Sequence, residues 1–144
     1  MACQFNTGEL VPLDELDPYI QDAIDLIEFA NGSVNTTWGK VRAEMGHPEP
    51  FNLKLLGVGN ENWGPQYVER LAVFQKILKE KHPEVEIIAS AGPYSSGEYF
   101  EYLDKELRTM NVDIIDEHFY QEPKWFLNNA KRYDNYDRKG PKIF

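Results

Sequence analysis

Leu53-Lys54-Leu55-Leu56-Gly57-Val58-Gly59-Asn60-Glu61 is the stretch from which the fold can be read. Residues 53–58 are mostly Leu and Val, as in a strand buried in a parallel sheet. They give way abruptly to glycine, an amide and a carboxylic acid. Downstream, Pro65 opens a helix with an apolar stripe at Tyr67, Leu71, Phe74 and Leu78, and His82-Pro83 stops it. Residues 85–91 read as a second strand, broken by Gly92-Pro93. Ser95 and Glu98 have capping-box spacing before a helix carrying Phe100, Leu103, Leu107 and Met110. Residues 112–118 form a third strand. Pro123 opens a helix with Phe126, Ala130 and Tyr133, and residues 142–144 begin a fourth strand after Gly140-Pro141. Upstream, Asp17-Pro18 opens a helix with Asp17 as its cap, an apolar stripe at Tyr19, Ile20, Ala23, Ile24 and Ile27, and a stop at Asn31-Gly32. Residues 33–50, rich in Gly, Pro and Thr, read as a long functional loop.

Strand starts at 53, 85, 112 and 142 are 32, 27 and 30 residues apart. Regular βα units of that size build parallel sheets, either closed barrels or doubly wound open sheets. A complete (β/α)8 barrel takes roughly 250 residues. The 144 residues hold about three units, so the chain is expected to be a slice of a barrel, cut at both ends. Its two sheet edges are then expected to invite association with other chains.

Composition narrows the chemistry. A net charge of -9 repels phosphate backbones and disfavours nucleic acid, while leaving neutral ligands unaffected. No apolar run approaches the ~20 residues of a membrane helix. The first thirteen residues lack the charged-then-apolar profile of a signal peptide, and compartment stays open. Cys3 is the only cysteine, so no intrachain disulfide and no Cys/His metal pattern is expected. The sequons at Asn31 and Asn35 are read as chance occurrences. A dinucleotide fingerprint starting at Gly57 fails because position 62 is Asn, and no cofactor is expected.

Three groups of residues could carry chemistry. Glu61 ends a strand, where barrel enzymes place their active sites. Partial desolvation there is expected to raise its pKa and suit it to protonate a departing sugar oxygen; a purely structural Glu is the alternative. Asn60 beside it could hold a sugar hydroxyl. In Asp116-Glu117-His118-Phe119-Tyr120, alternation puts Asp116, His118 and Tyr120 on one face, with His118 and Tyr120 able to bond a second carboxylate or a hydroxyl. Ordinary hydrogen-bonded core roles are the alternative, and a metal role is disfavoured because no further His or Cys completes a shell. Glu44 and His47 have a metal-binding spacing, but Gly46 and Pro48 argue against the helix it requires. Trp38 upstream is either a pocket wall or a surface anchor of the long loop.

The ordered series Ile27-Glu28-Phe29-Ala30-Asn31-Gly32, Trp38-Gly39, Gly46-His47-Pro48-Glu49-Pro50-Phe51, Gly59-Asn60-Glu61-Asn62-Trp63-Gly64, Val112 through Tyr120, and Tyr136-Asp137-Arg138 resembles glycoside hydrolase family 51, chiefly α-L-arabinofuranosidases. The resemblance runs from about Leu16 to Phe144. It implies a (β/α)8 TIM barrel with a separate β-sandwich domain, releasing terminal arabinofuranosyl groups from plant oligosaccharides and polysaccharides with retention of configuration. It also implies a homo-oligomeric parent. Glu61 matches the family's acid/base, Asn60 its sugar-binding neighbour, and His118 and Tyr120 the pair near the nucleophile. Trp38 is a looser match to a pocket aromatic and Trp63 a looser one still. The family's nucleophile follows the strand that starts at Lys142, so the 144 residues are expected to lack it, together with the N-terminal strands and the sandwich, and to be inactive alone. Two other classes stay open: a non-catalytic carbohydrate-binding fragment, and an unrelated open α/β sheet. Sequential order of the four strands favours the barrel segment over the latter.

Overall fold

A computed structural model describes Gly8 and residues 10–144; Cys3 lies outside the described residues. After a 3-10 turn at Leu13–Glu15, the elements run α1 (Asp17–Asn31), α2 (Thr37–Glu44), β1 (Leu55–Val58), α3 (Gly64–Lys81), β2 (Glu86–Ser90), α4 (Glu98–Thr109), β3 (Ile114–Asp116), α5 (Pro123–Asn128) and β4 (Lys142–Ile143). The four strands form one parallel sheet in the order β1-β2-β3-β4. That sequential order is the one a barrel segment requires, and the chain is an α/β protein.

Register divides the sheet into two unlike faces. Val58, Ala89, Ile115 and Ile143 stand in one row across the strands and join the core. Ile20 and Ile27 of α1, Tyr67, Leu71, Phe74 and Leu78 of α3, and Leu103 and Leu107 of α4 belong to the same core. The other face is open: Leu55 is 42% exposed and Gly57 is exposed. The expectation that the first strand is buried throughout therefore fails for one face, because the helices of these residues all cover the opposite one. No described helix is long and apolar enough to cross a membrane.

Several local expectations are corrected. Asp17 is the first residue of α1 rather than its cap; Leu16 occupies that place in a helical conformation because the preceding turn runs straight into the helix. Asp17 still suits the positive helix start. Tyr19 is 40% exposed, so the buried stripe of α1 is narrower than the sequence suggested. The long loop contains α2, whose start is capped by the Thr36 Oγ1 accepting from Gly39 N at 3.2 Å. Ser95 caps nothing: Gly97, with φ +89°, precedes α4. Finally, α5 stops at Asn128, leaving Ala130 and Tyr133 in turns; Asn129 leaves the helical conformation at φ -109°, and its side-chain amide joins its backbone N–H on Trp125 O, at 2.8 and 3.0 Å.

Polar clips fix the approach to β1. Arg42, fully buried on α2, donates to Phe29 O, His47 O and Pro48 O at 2.7, 2.9 and 2.9 Å. The Asn31 side chain pairs with the backbone of Leu53 in both directions, at 2.6 and 2.8 Å. Gly32 is needed for space: a Cβ there would run into Glu28 O and would lie 2.7 Å from Thr36 Oγ1. At the other end of the sheet, the Tyr67 hydroxyl donates to Val58 O at 2.7 Å and accepts from Ser90 N at 2.8 Å. That buried phenol locks the ends of β1 and β2 together, where the loops to α3 and α4 begin.

Candidate active site

Glu61 sits three residues past β1 with φ +52°, a left-handed backbone that L residues other than Asn and Asp seldom adopt. The side chain of Asn62, itself buried, accepts from Asn60 N at 2.9 Å and closes the turn that holds this conformation. The turn aims the Glu61 carboxylate along the end of the sheet towards β3. There His118 Nδ1 lies 2.8 Å from Glu61 Oε1, and the Tyr120 hydroxyl donates to the same oxygen at 2.7 Å. The far nitrogen, His118 Nε2, lies 3.0 Å from Asp116 Oδ2. Both ring nitrogens face carboxylate oxygens, which only accept, so the imidazolium form satisfies both contacts.

The electrostatics follow from this geometry. The hydrogen bonds from His118 and then Tyr120 hold Glu61 below the usual carboxylate range, outweighing a smaller opposing effect of burial. The bond to Glu61, helped by that to Asp116, holds His118 above the ordinary imidazole value against its partial burial. Tyr120 is raised by the same carboxylate. The expected upward shift of Glu61 by desolvation is thus reversed, because donors contact the carboxylate directly and outweigh the burial of a side chain that is only 14% exposed. For stability, the depressed Glu61 contributes fully above its unfolded pKa of about 4.3, and the contribution fades as pH falls through its folded value. The raised His118 contributes fully below about 6.5 and fades as pH rises through its folded value. Both contributions are complete only between those limits. In a proton NMR titration His118 is expected to titrate above about 6.5, and Glu61→Gln to lower its midpoint. An unchanged midpoint in the variant would remove the ion pair from the account.

The structure brings Glu61, His118 and Tyr120 together, with Asn60 exposed beside them. Trp38 lies on α2 and lines a depression with Asp22, Asp25, Leu26 and Phe29. Trp63 immediately precedes α3 and lines a depression with Pro93, Tyr94 and Tyr99. Glu44 ends α2, and His47 lies beyond it against the Phe51 ring, with centroids 5.5 Å apart. Sequence reasoning put Asp116 on the right face but gave it no partner; its bond to His118 Nε2 follows from the two-residue spacing. It missed the clamp behind the site altogether. Glu117 points away from His118 into the interior, where Arg132 Nε and Nη2 contact its Oε2 at 3.1 and 3.0 Å and the Tyr133 hydroxyl donates to it at 3.0 Å. The clamp's one sequence signal is a charged residue directly after the end of β3.

The family model described as "Alpha-L-arabinofuranosidase 1 domain" matches residues 1–138. An extracellular exo-α-L-arabinofuranosidase of Streptomyces chartreusis is 48% identical over 130 residues, which is 90% of this chain and 16% of that protein. α-L-Arabinofuranosidase 2 of Arabidopsis thaliana is 38% identical over 97% of this chain and 20% of its own length. Among solved structures, an arabinose-bound family 51 α-L-arabinofuranosidase superposes with a TM-score of 0.71 at 31% identity, over 93% of this chain and 20% of that one. The arabinose complex of the Thermotoga maritima α-L-arabinofuranosidase gives 0.59 at 26% identity, over 79% of this chain and 25% of that one. The chain therefore spans about a fifth or less of the curated relatives it matches. Family match, sequence identity and parallel βα architecture agree, and the chain belongs to the α-L-arabinofuranosidases of glycoside hydrolase family 51.

Proposed function

We propose that these residues form part of the catalytic (β/α)8 barrel of a retaining glycoside hydrolase, one that releases terminal α-L-arabinofuranosyl groups from arabinose-containing plant oligosaccharides and polysaccharides. The observation that carries the reading is the convergence of His118 and Tyr120, from the end of β3, on the Glu61 carboxylate two strands away. Glu61 is the acid/base: as the acid it protonates the departing oxygen, and as the carboxylate it later takes a proton from water. His118 and Tyr120 orient it, and Asn60 is placed to bond a sugar hydroxyl.

Retention requires a second carboxylate roughly 5 Å from the first, acting as nucleophile. Asp116 is bonded to the far nitrogen of His118, with the imidazole between it and Glu61. The nucleophile in this proposal comes from outside the 144 residues, as do the remaining barrel strands and a β-sandwich domain. It also supplies what Glu61 lacks here. A negative charge brought beside the depressed Glu61 raises its pKa towards the range in which it can donate a proton at neutral pH.

The test is hydrolysis of p-nitrophenyl α-L-arabinofuranoside by the 144-residue chain and by the same chain with the missing barrel segments of a relative added. Activity confined to the completed barrel is the expected result. Turnover by the short chain, abolished by Glu61→Gln, would place the second carboxylate among these residues and overturn the division of labour proposed here.

A further inference from the structure

We propose that Trp63, Pro93, Tyr94 and Tyr99 form a subsite for the sugar ring on the leaving-group side of the scissile bond, a neutral saccharide seated by stacking on the two tyrosine faces. The inference rests on the arabinofuranosidase reading and specifies where the rest of the substrate lies. The four residues enclose a depression of about 130 Å³. That is below the ~300–1,000 Å³ of pockets for larger ligands, and suits one ring. None of its lining residues is charged, so the depression offers no ion-pair partner and suits an uncharged ligand.

Tyr94 and Tyr99 are 57% and 56% exposed, and their rings lie 6.4 Å apart, tilted by only 34°. Two large rings turned to solvent offer apolar faces to the C–H face of a sugar. Burial of their own surface does not explain them. The frame beneath is fixed. The Arg132 Nη2 donates to Ser95 O at 2.7 Å, Ala91 N donates to Asp116 O at 2.9 Å, and Gly92 N donates to Ser90 Oγ at 3.1 Å. A Cβ at Gly92, where φ is +83°, would lie 3.7 Å from Asn62 O and from Trp63 Cβ, so this loop packs on the residues that follow Glu61.

Position gives the assignment. Trp63 is two residues from Glu61 and immediately precedes α3; Tyr99 lies in the first turn of the neighbouring α4. The platform therefore covers the N-terminal ends of two outer helices, while Glu61, His118 and Tyr120 occupy the end of the sheet. A glycosidic oxygen at Glu61 has the arabinosyl ring on the sheet side and the departing sugar over the helix ends.

The experiment measures binding of L-arabinose, an arabinofuranosyl-substituted xylo-oligosaccharide and the unsubstituted xylo-oligosaccharide to the completed barrel, by Trp fluorescence and NMR. It compares wild type with Tyr94→Ala/Tyr99→Ala and Tyr94→Phe/Tyr99→Phe. The expected result is that the Ala pair loses about tenfold in affinity for the substituted oligosaccharide, arabinose binding is unchanged, and the Phe pair binds as wild type. Undiminished oligosaccharide binding by the Ala pair overturns the proposal, as does loss in the Phe pair, or a panel in which no saccharide perturbs Trp63. If both oligosaccharides bind equally and the Ala pair loses both, the platform stands and the arabinofuranosyl reading falls.

Discussion

Glu61→Gln, introduced into the completed barrel, is expected to lower turnover of an arabinofuranosyl oligosaccharide by roughly 10²–10⁴-fold, the usual size of a general-acid contribution. Gln keeps the shape of the side chain and a carbonyl oxygen where Oε1 accepts from Tyr120. It has no proton to give. The loss should depend on the leaving group. A sugar alkoxide needs the proton as the bond breaks, whereas p-nitrophenolate departs with little help. The first half-reaction on the aryl substrate should therefore survive better, and the later attack by water, which uses Glu61 as base, becomes the slow step. Pre-steady-state release of p-nitrophenol separates the two stages, and a burst in the variant is the expected signature. An equal and modest loss on both substrates would remove Glu61 from the proton-transfer role.

The second large effect concerns the clamp behind the site. Arg132→Met is expected to destabilise the fold by about 3–5 kcal/mol, because it leaves a buried carboxylate without its cation. Glu117 has a fully enclosed side chain, and its Oε1 is already without a hydrogen-bond partner among the described residues. Arg132 also ties down the β2–α4 loop through Ser95 O and spreads its guanidinium over the rings of Phe100 and Phe119, at 4.9 and 5.4 Å. A domain of ordinary stability has only about 5–15 kcal/mol in hand. The change should lower the melting temperature by roughly 10 °C or more. Glu117→Leu/Arg132→Met, which removes both charges, should cost less than Arg132→Met alone. If the single variant melts like wild type, the clamp is a bystander.

The parallel sheet was legible because residues 53–58, 85–91 and 112–118 are short apolar runs separated by helices with clear stripes, and Pro65 and His82-Pro83 mark one helix at both ends. Glu61 stood out for the abruptness with which polar residues follow Val58. His118 and Tyr120 followed from two-residue alternation, a property of extended chain that holds even though β3 itself ends at Asp116. What escaped depends on partners distant in sequence. Thr36 reads as loop in the sequence, and its hydroxyl caps α2. Ser95 had the spacing of a cap but loses the place to Gly97, whose φ of +89° spacing does not encode. The direction of the Glu61 shift escapes the sequence for the same reason: desolvation follows from a strand end, but donors 57 and 59 residues away do not.

The backbone at Glu61 has a consequence for engineering. A procedure that chose residues only to fit this chain trace would write Gly or Asn at position 61, since φ +52° disfavours most other L residues. Optimising the scaffold for thermal robustness would therefore delete the carboxyl group first. The usual ranking of alanine over glycine should also invert there, with Glu61→Gly folding more stably than Glu61→Ala. A misfit between a side chain and the dihedrals that carry it thus serves as a search criterion in its own right, one that finds this position without reference to any relative.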